Sequence, residues 1–239
     1  MNEVEGVIEV SQLRFGWQAP GPLVLDIEAL SVSRGERLFI EGASGSGKST
    51  LLSLLAGVLL PQQGNIQVLG RPINRLSGAE RDRFRADHIG LIFQLFNLIP
   101  YLSVLENVTL PCRFSPARRA QATRRGKRLE DEAVRLLTHL DLTGDRLLSR
   151  PVTALSVGQQ QRVAAARALI GSPALVLADE PTSSLDADRR EAFVQLLFQE
   201  CNAERLTLVL VSHDSSLKQF FDRTVRLVDI NRASDVARV

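Results

Sequence analysis

Apolar positions recur at two spacings along the chain, and the change from one to the other divides it into elements. Ile8, Val10, Leu13, Phe15 and Trp17 alternate with polar residues, as do Leu25, Ile27 and Leu30. A period of two marks half-buried strands and predicts an antiparallel β layer at the amino-terminal end. Arg34-Gly35 turns the chain into Leu38-Phe39-Ile40, an apolar run that predicts a buried strand. A glycine-rich loop follows, then a helical stretch from Lys48 to Ala56 closed by Gly57 and Pro61. Ser77-x-x-Glu80 and Ser103-x-x-Glu106 have the capping-box pattern that announces a helix start. Between them, Ile89 to Phe93 reads as a strand, and Leu129 to Leu140 has helical spacing. Ala174 to Ala178 and Thr207 to Val211 are continuously apolar, as strands covered on both faces are. A helix from Asp188 to Glu204, with Phe193, Leu196 and Leu197 on one face, separates them. Strand, helix, strand in that order predicts a parallel βαβ unit and hence an α/β fold.

Composition adds a few exclusions. With 239 residues, the chain suits one large α/β domain. A net charge of +2 is too small to argue for a nucleic-acid partner. Cys112 and Cys201 lie far apart with no CxxC spacing. That excludes a disulfide framework and a cysteine-rich zinc site, suits a reducing cytoplasm, and leaves both as small buried or half-buried apolar residues. The start, Met-Asn-Glu-Val-Glu, is acidic and has no apolar segment after it, so no secretory leader is expected. The longest largely apolar stretch, Leu51 to Leu60, is half of the roughly 20 residues a membrane span needs. Any membrane role is therefore expected to run through a partner.

Two contiguous motifs carry chemistry. Gly42-Ala43-Ser44-Gly45-Ser46-Gly47-Lys48-Ser49 matches G-x-x-x-x-G-K-[ST] and sits between a predicted strand and a predicted helix. A polyphosphate needs many N–H donors converging on it, and glycine lets the backbone approach that closely. The helix that follows turns its positive end to the same anion. Lys48 is expected to add a full charge to the β- and γ-phosphates, and the Ser49 hydroxyl to ligate Mg²⁺. Leu175 to Ala178 is an apolar strand ending in Asp179 and Glu180. Carboxylates at the carboxyl end of a buried parallel strand stand beside the ligand crevice of an α/β sheet. Asp179 is expected to hold Mg²⁺, and Glu180 to orient and deprotonate the attacking water.

Leu155-Ser156-Val157-Gly158-Gln159-Gln160-Gln161-Arg162 resembles the L-S-G-G-Q signature of ABC (ATP-binding cassette) ATPases. Asp179-Glu180-Pro181-Thr182, the D-loop Ser184-Leu185-Asp186, Gln94 as the Q-loop glutamine and His213 as the switch histidine complete the family pattern in order. The resemblance implies a phosphate-loop NTPase core with a parallel sheet, an amino-terminal antiparallel β subdomain and a helical subdomain inserted at roughly 95–160. It implies two copies facing head to tail around two ATP molecules. Each ATP would touch one copy's phosphate loop with Thr50, and the other copy's Ser156, Gly158 and Gln159, with Asp186 close by. Gln94 would sense Mg²⁺ and the γ-phosphate, His213 would meet the γ-phosphate, and Trp17, or else Phe15, would stack on adenine. The implied partner is a separate integral membrane permease subunit, so the chain is expected to be cytoplasmic and peripheral on the inner face of the membrane.

Residues 92–100 and 105–111 are similar to the lipoprotein-release, macrolide-efflux and cell-division branch (LolD, MacB and FtsE), whose members often drive a membrane subunit that works on something outside. An importer ATPase is the alternative. A soluble cassette acting on nucleic acid is disfavoured by the absence of sustained heptads. Two features depart from the family pattern. Val157 replaces the first signature glycine, and its side chain is expected to be tolerated, directed away from the nucleotide. Arg113, Arg118, Arg119, Arg124, Arg125, Lys127 and Arg128 form a basic tract without an acid. It reads either as a contact for anionic headgroups or an acidic partner loop, or as a solvated connector.

Overall fold

The structure is a computed structural model that describes residues 6–18, 20–124, 127–183 and 185–233. In chain order it holds β1 (Gly6–Phe15), β2 (Leu25–Ser33), β3 (Arg37–Glu41), α1 (Lys48–Leu55), β4 (Gln63–Val68), β5 (Arg71–Pro72), α2 (Gly78–His88) and β6 (Ile89–Ile92). Helices α3 (Val104–Thr109), α4 (Pro111–Phe114), α5 (Pro116–Ala122), α6 (Leu129–His139), α7 (Asp145–Leu148) and α8 (Val157–Leu169) follow. The chain continues through β7 (Leu175–Asp179), α9 (Ala187–Glu204), β8 (Thr207–Ser212), β9 (Arg223–Arg226) and α10 (Leu227–Ile230). The described residues form two compact units, one running to Arg85 and resuming at Thr207, the other Ala86–Leu206.

In the first unit β2, β1, β4 and β5 make an antiparallel sheet in that order. From Ile8 onward the expected alternation is present with one interruption. Ile8 and Val10 are buried, and so are Leu13 and Phe15, two positions of opposite parity. The chain absorbs the extra residue in a bulge, where β1's pairing with β4 shifts between Ser11 and Arg14 and Gln12 takes a left-handed φ of 51°. The strand ends at Phe15, so Trp17 lies beyond it. The same unit holds a parallel set in which β3 runs between β8 and β9, with Glu41 in register with Ser212 on one side and Arg226 on the other. Leu38, Phe39 and Ile40 are fully buried, as are all residues of β8. Continuous apolar runs are what a strand covered on both faces requires.

In the second unit β6 and β7 are parallel, Ile92 opposite Ala178. Gly90 lets α8 lie directly on β6, since a Cβ there would meet the Ala168 carbonyl oxygen at 2.3 Å. The capping boxes at Ser77 and Ser103 both form, with Glu80 and Glu106 accepting from their own cap residue's backbone N–H. Fully buried Asn107 pins the approach to α3 by accepting from the Ile99 N–H at 2.8 Å and donating to the Ile99, Leu102 and Ser103 carbonyls. Cys112 and Cys201 are buried and form no disulfide, as expected.

The basic tract is not one surface. Arg113, Arg119, Arg124, Lys127 and Arg128 are exposed, and Arg125 lies outside the described residues. Arg118 is 3% exposed and fits neither expectation. Its guanidinium donates to the Ile170 carbonyl at 2.5 and 2.8 Å and to the Ala168 carbonyl at 2.6 Å. The last carbonyls of a helix have no intrahelical donor, and a cation there also suits the helix dipole. Burial draws the Arg118 pKa down to about 10, yet the site still suits a cation. Replacing it leaves several buried acceptors without a donor. Arg118→Met is therefore expected to lower stability by about 2–4 kcal/mol, while exposed Arg119→Met stays within about 0.5 kcal/mol of wild type. Urea unfolding midpoints of the two variants check this, and equal midpoints would contradict the capping role.

Candidate functional site

β3 delivers the chain into the phosphate loop. Gly42 extends the parallel ladder by one bond, its N–H donating to the Ser212 carbonyl at 3.2 Å. The loop then turns through Gly45 and Gly47, with φ of 77° and 100°, angles that side-chain-bearing residues rarely adopt. Gly47 is the N-cap of α1 and supplies no side-chain hydrogen bond to it. Elsewhere Ser103 caps α3, Ser156 caps α8 and Asp186 caps α9 through side-chain oxygens. α1 thus begins with N–H groups that its own cap residue does not serve, the condition under which a helix start takes an external anion. Buried Lys48 folds back over the loop, donating to the Gly42 and Ala43 carbonyls at 2.8 Å each. The Ser46 hydroxyl oxygen is buried without a hydrogen-bond partner. Ala43, Ser44, Gly45 and Ser49 are exposed, and Thr50 is buried on the first turn. Loop, cation and helix end fit a polyphosphate.

His213 leaves β8 beside this loop. Because Glu41 and Ser212 are in parallel register, Gly42 and His213 emerge from neighbouring strands at the same end. Of the two candidate aromatics, Phe15 is 6% exposed and part of the core. Trp17 is 65% exposed and meets Phe15 edge-on, centroids 5.2 Å apart at 83°. Of the two rings only Trp17 is exposed enough to meet a flat ligand, and buried Phe15 packs against it.

The second unit repeats the arrangement of strand ends. Ile92 and Ala178 are in register, so Gln94 and the Asp179-Glu180 pair leave β6 and β7 at one end of a parallel pair. Gln94 is exposed, whereas Glu180 is 7% exposed and holds a left-handed φ of 44°. A residue with a Cβ costs about 1–2 kcal/mol there, and such strain persists where the surroundings over-determine it, most often at functional sites. Sequence pattern alone gives no hint of it.

The signature stretch opens α8. Ser156 accepts from the Gln159 N–H, and the Gln159 carboxamide accepts from the Ser156 N–H at 3.0 Å. This is a capping box built by the same S-x-x-Q/E pattern as the other two, a signal present in the sequence but masked there by the signature motif. Gly158 is the second helical residue, and a Cβ on it would meet only Leu185 Cδ2, at 3.9 Å. Nothing within the described residues requires glycine at that place. Asp186 caps α9 by accepting from the Arg189 N–H at 3.0 Å, and Ser184 lies outside the described residues. The two helix starts open into one cleft of about 550 Å³, lined by Ser156, Val157, Gly158, Gln159, Asp186 and Arg189 among others. Val157 is 50% exposed and lines this cleft.

Comparison with known proteins places these features in a family. The model of the ABC transporter family matches residues 25–183. The lipoprotein-releasing system ATP-binding protein LolD of Bacteroides fragilis is 39% identical over 204 residues, covering 84% of this chain and 89% of that protein. LolD of Xanthomonas campestris pv. campestris is 41% identical over 204 residues, 85% of this chain and 82% of its own. Among solved structures, the dimeric post-hydrolysis state of the ATP-binding cassette MJ0796 bound to ADP and Pi superimposes with a TM-score of 0.79 at 33% identity, covering 92% of this chain and 93% of that one. Phosphate loop, strand-end acids, signature helix and overall likeness agree: the chain belongs to the ABC transporter family, as one of its ATP-hydrolysing cassettes.

Proposed function

We propose that two copies of this chain close around two ATP molecules and use hydrolysis to move a separate integral membrane subunit, from a peripheral position on the inner face of the membrane. The observation that carries this reading is Gly158. It stands at a helix start facing a cleft, with room for a side chain that it does not have. In this reading the room beside Gly158 receives the γ-phosphate of an ATP held by a second copy. The dimeric state named for the MJ0796 cassette and the likeness to LolD support the reading.

Within it each residue has a task. The loop from Gly42 to Gly47 and the start of α1 bind the phosphates through backbone N–H groups, with Lys48 neutralising the β- and γ-oxygens. Trp17 stacks on adenine, and Thr50, on the first turn of α1, joins the loop in binding the nucleotide. Ser156, Gly158 and Gln159 meet the partner copy's nucleotide, and Asp186 sets the start of α9 beside them. The Ser49 hydroxyl, the Gln94 carboxamide and the Asp179 carboxylate are hard oxygen donors, a set that suits Mg²⁺ held together with substrate phosphates. When bound, the ion neutralises charge that develops on the transferring phosphoryl group. Glu180 accepts the proton of the attacking water, and His213 donates to the γ-phosphate. The helices between β6 and α8 form the inserted subdomain that meets the membrane partner.

Glu180→Gln keeps the volume and the hydrogen-bonding reach but cannot take the proton. Turnover is expected to fall by about 10²-fold or more, and ATP should shift the variant from monomer to dimer in gel filtration. Hydrolysis near the wild-type rate would remove Glu180 from this role.

Gly158→Asp has room to fold, so its urea midpoint should match wild type while ATP-dependent dimerisation disappears. Trp17 is the only tryptophan, and its emission should still respond to ATP in this variant, which reports binding by the single chain. Val157→Gly is expected to change turnover by less than about threefold, under about 0.7 kcal/mol of barrier. A much larger gain would mean that Val157 impairs the half-site it lines.

A further inference from the structure

α8 begins with the signature residues and ends against the segment that carries Gln94. In its last turn Arg167 donates to the Asn97 carbonyl at 2.7 Å and to the Phe96 carbonyl at 2.5 Å. Phe96 and Asn97 are consecutive residues with left-handed φ of 60° and 48°. For a bulky aromatic that conformation is a true outlier, and two in succession do not persist without support. The turn they form is narrow, with the Phe96 N–H donating to the Phe93 carbonyl at 2.9 Å and the Asn97 N–H to the Leu95 carbonyl at 2.7 Å. Gln94 sits inside it.

Arg167 is half-buried, and among the described residues it makes no ion pair. Desolvation draws its pKa down to about 10, with no acid beside it to offset the loss. A guanidinium that needed only to be accommodated would do better facing water or a carboxylate. Here its planar fork spans two adjacent carbonyls, which a single ammonium would not match. The backbone of the same turn of α8 is fixed in turn by Arg118, through the Ala168 and Ile170 carbonyls.

From this geometry we infer that Arg167 is a positioning residue: it holds the Phe93–Asn97 turn, and with it Gln94, to the end of the helix whose start bears the signature residues. One rigid helix then joins the group that meets the partner copy's nucleotide to the group that reads Mg²⁺ and the γ-phosphate. The kinetic consequence rests on the role proposed for Gln94, whereas the structural consequence does not.

The test uses the full chain with Arg167→Met and Arg167→Lys. Amide hydrogen exchange is the first readout. Phe96 and Asn97 should lose protection in Arg167→Met, recover part of it in Arg167→Lys, and α8 should stay as protected as in wild type. Unchanged protection at Phe96 and Asn97 would overturn the inference, whatever Gln94 does. Should the methionine variant not fold, the lysine variant alone decides, since the Phe96 and Asn97 amides of a turn whose two carbonyls share one ammonium must still exchange faster than in wild type. The second readout is turnover: Arg167→Met should lower kcat about tenfold with KM for ATP within about twofold, a loss specific to the hydrolytic step. Adding it to Gln94→Ala should cost nothing further, as expected of residues acting through one another. Fully multiplicative losses would place the action of Arg167 elsewhere and overturn it. Wild-type turnover and Mg²⁺ dependence in Gln94→Ala alone would instead contradict the proposed role of Gln94, and the exchange result would still decide the clamp.

Discussion

A helix cannot satisfy the N–H groups of its own first turn, and the functional parts of this protein are arranged around that deficit. Where a helix start is purely structural, a side chain meets the need, as Ser77 and Ser103 do with Glu80 and Glu106. At α1 the N-cap is Gly47 and no side chain serves. Filling that place with a serine would require a left-handed φ of 100° from a residue with a Cβ, so the same glycines that shape the loop also keep its donors available. α8 and α9 are intermediate cases. Ser156 and Asp186 cap them from within, yet both starts line one open cleft.

The parallel strands bring further candidate groups out in pairs. Register between β3 and β8 brings Gly42 and His213 out together, and register between β6 and β7 does the same for Gln94 and the Asp179-Glu180 pair. Charge and strain are then spent locally. Lys48 folds over its own loop, Glu180 holds a left-handed backbone, and Arg167 spans two carbonyls of a turn that would otherwise relax. Each is a local arrangement at the end of a strand or helix, outside the apolar interior built by β3 and β8.

What could be read from the sequence follows the same division. The strands with continuous apolar runs, the helix after the phosphate loop and the two capping boxes were legible, because each is written in neighbouring residues. The alternation through β1 was legible except at Gln12, where a bulge inserts a residue without changing the kinds of side chain used. Trp17 looked like a strand residue because its parity matched Phe15, although the strand stops before it. Arg118 looked like part of a charged surface because nothing in its own neighbourhood shows that it meets carbonyls at the end of α8. Arg167 was invisible for the same reason. Backbone acceptors leave no mark in the sequence, so a cation that serves them cannot be told from one that faces water.

Complementation between two inactive chains tests the central claim most directly. In a head-to-tail dimer each nucleotide is held by one chain's Lys48 and the other chain's Gly158, so the two residues of a single site belong to different copies. A Lys48→Ala chain and a Gly158→Asp chain should each be without ATPase activity alone. Mixed together they form a dimer with one intact site, and the account predicts that turnover returns. If the mixture stays as inactive as its components, or if either chain is active by itself, the nucleotide is not shared between copies and the account is wrong.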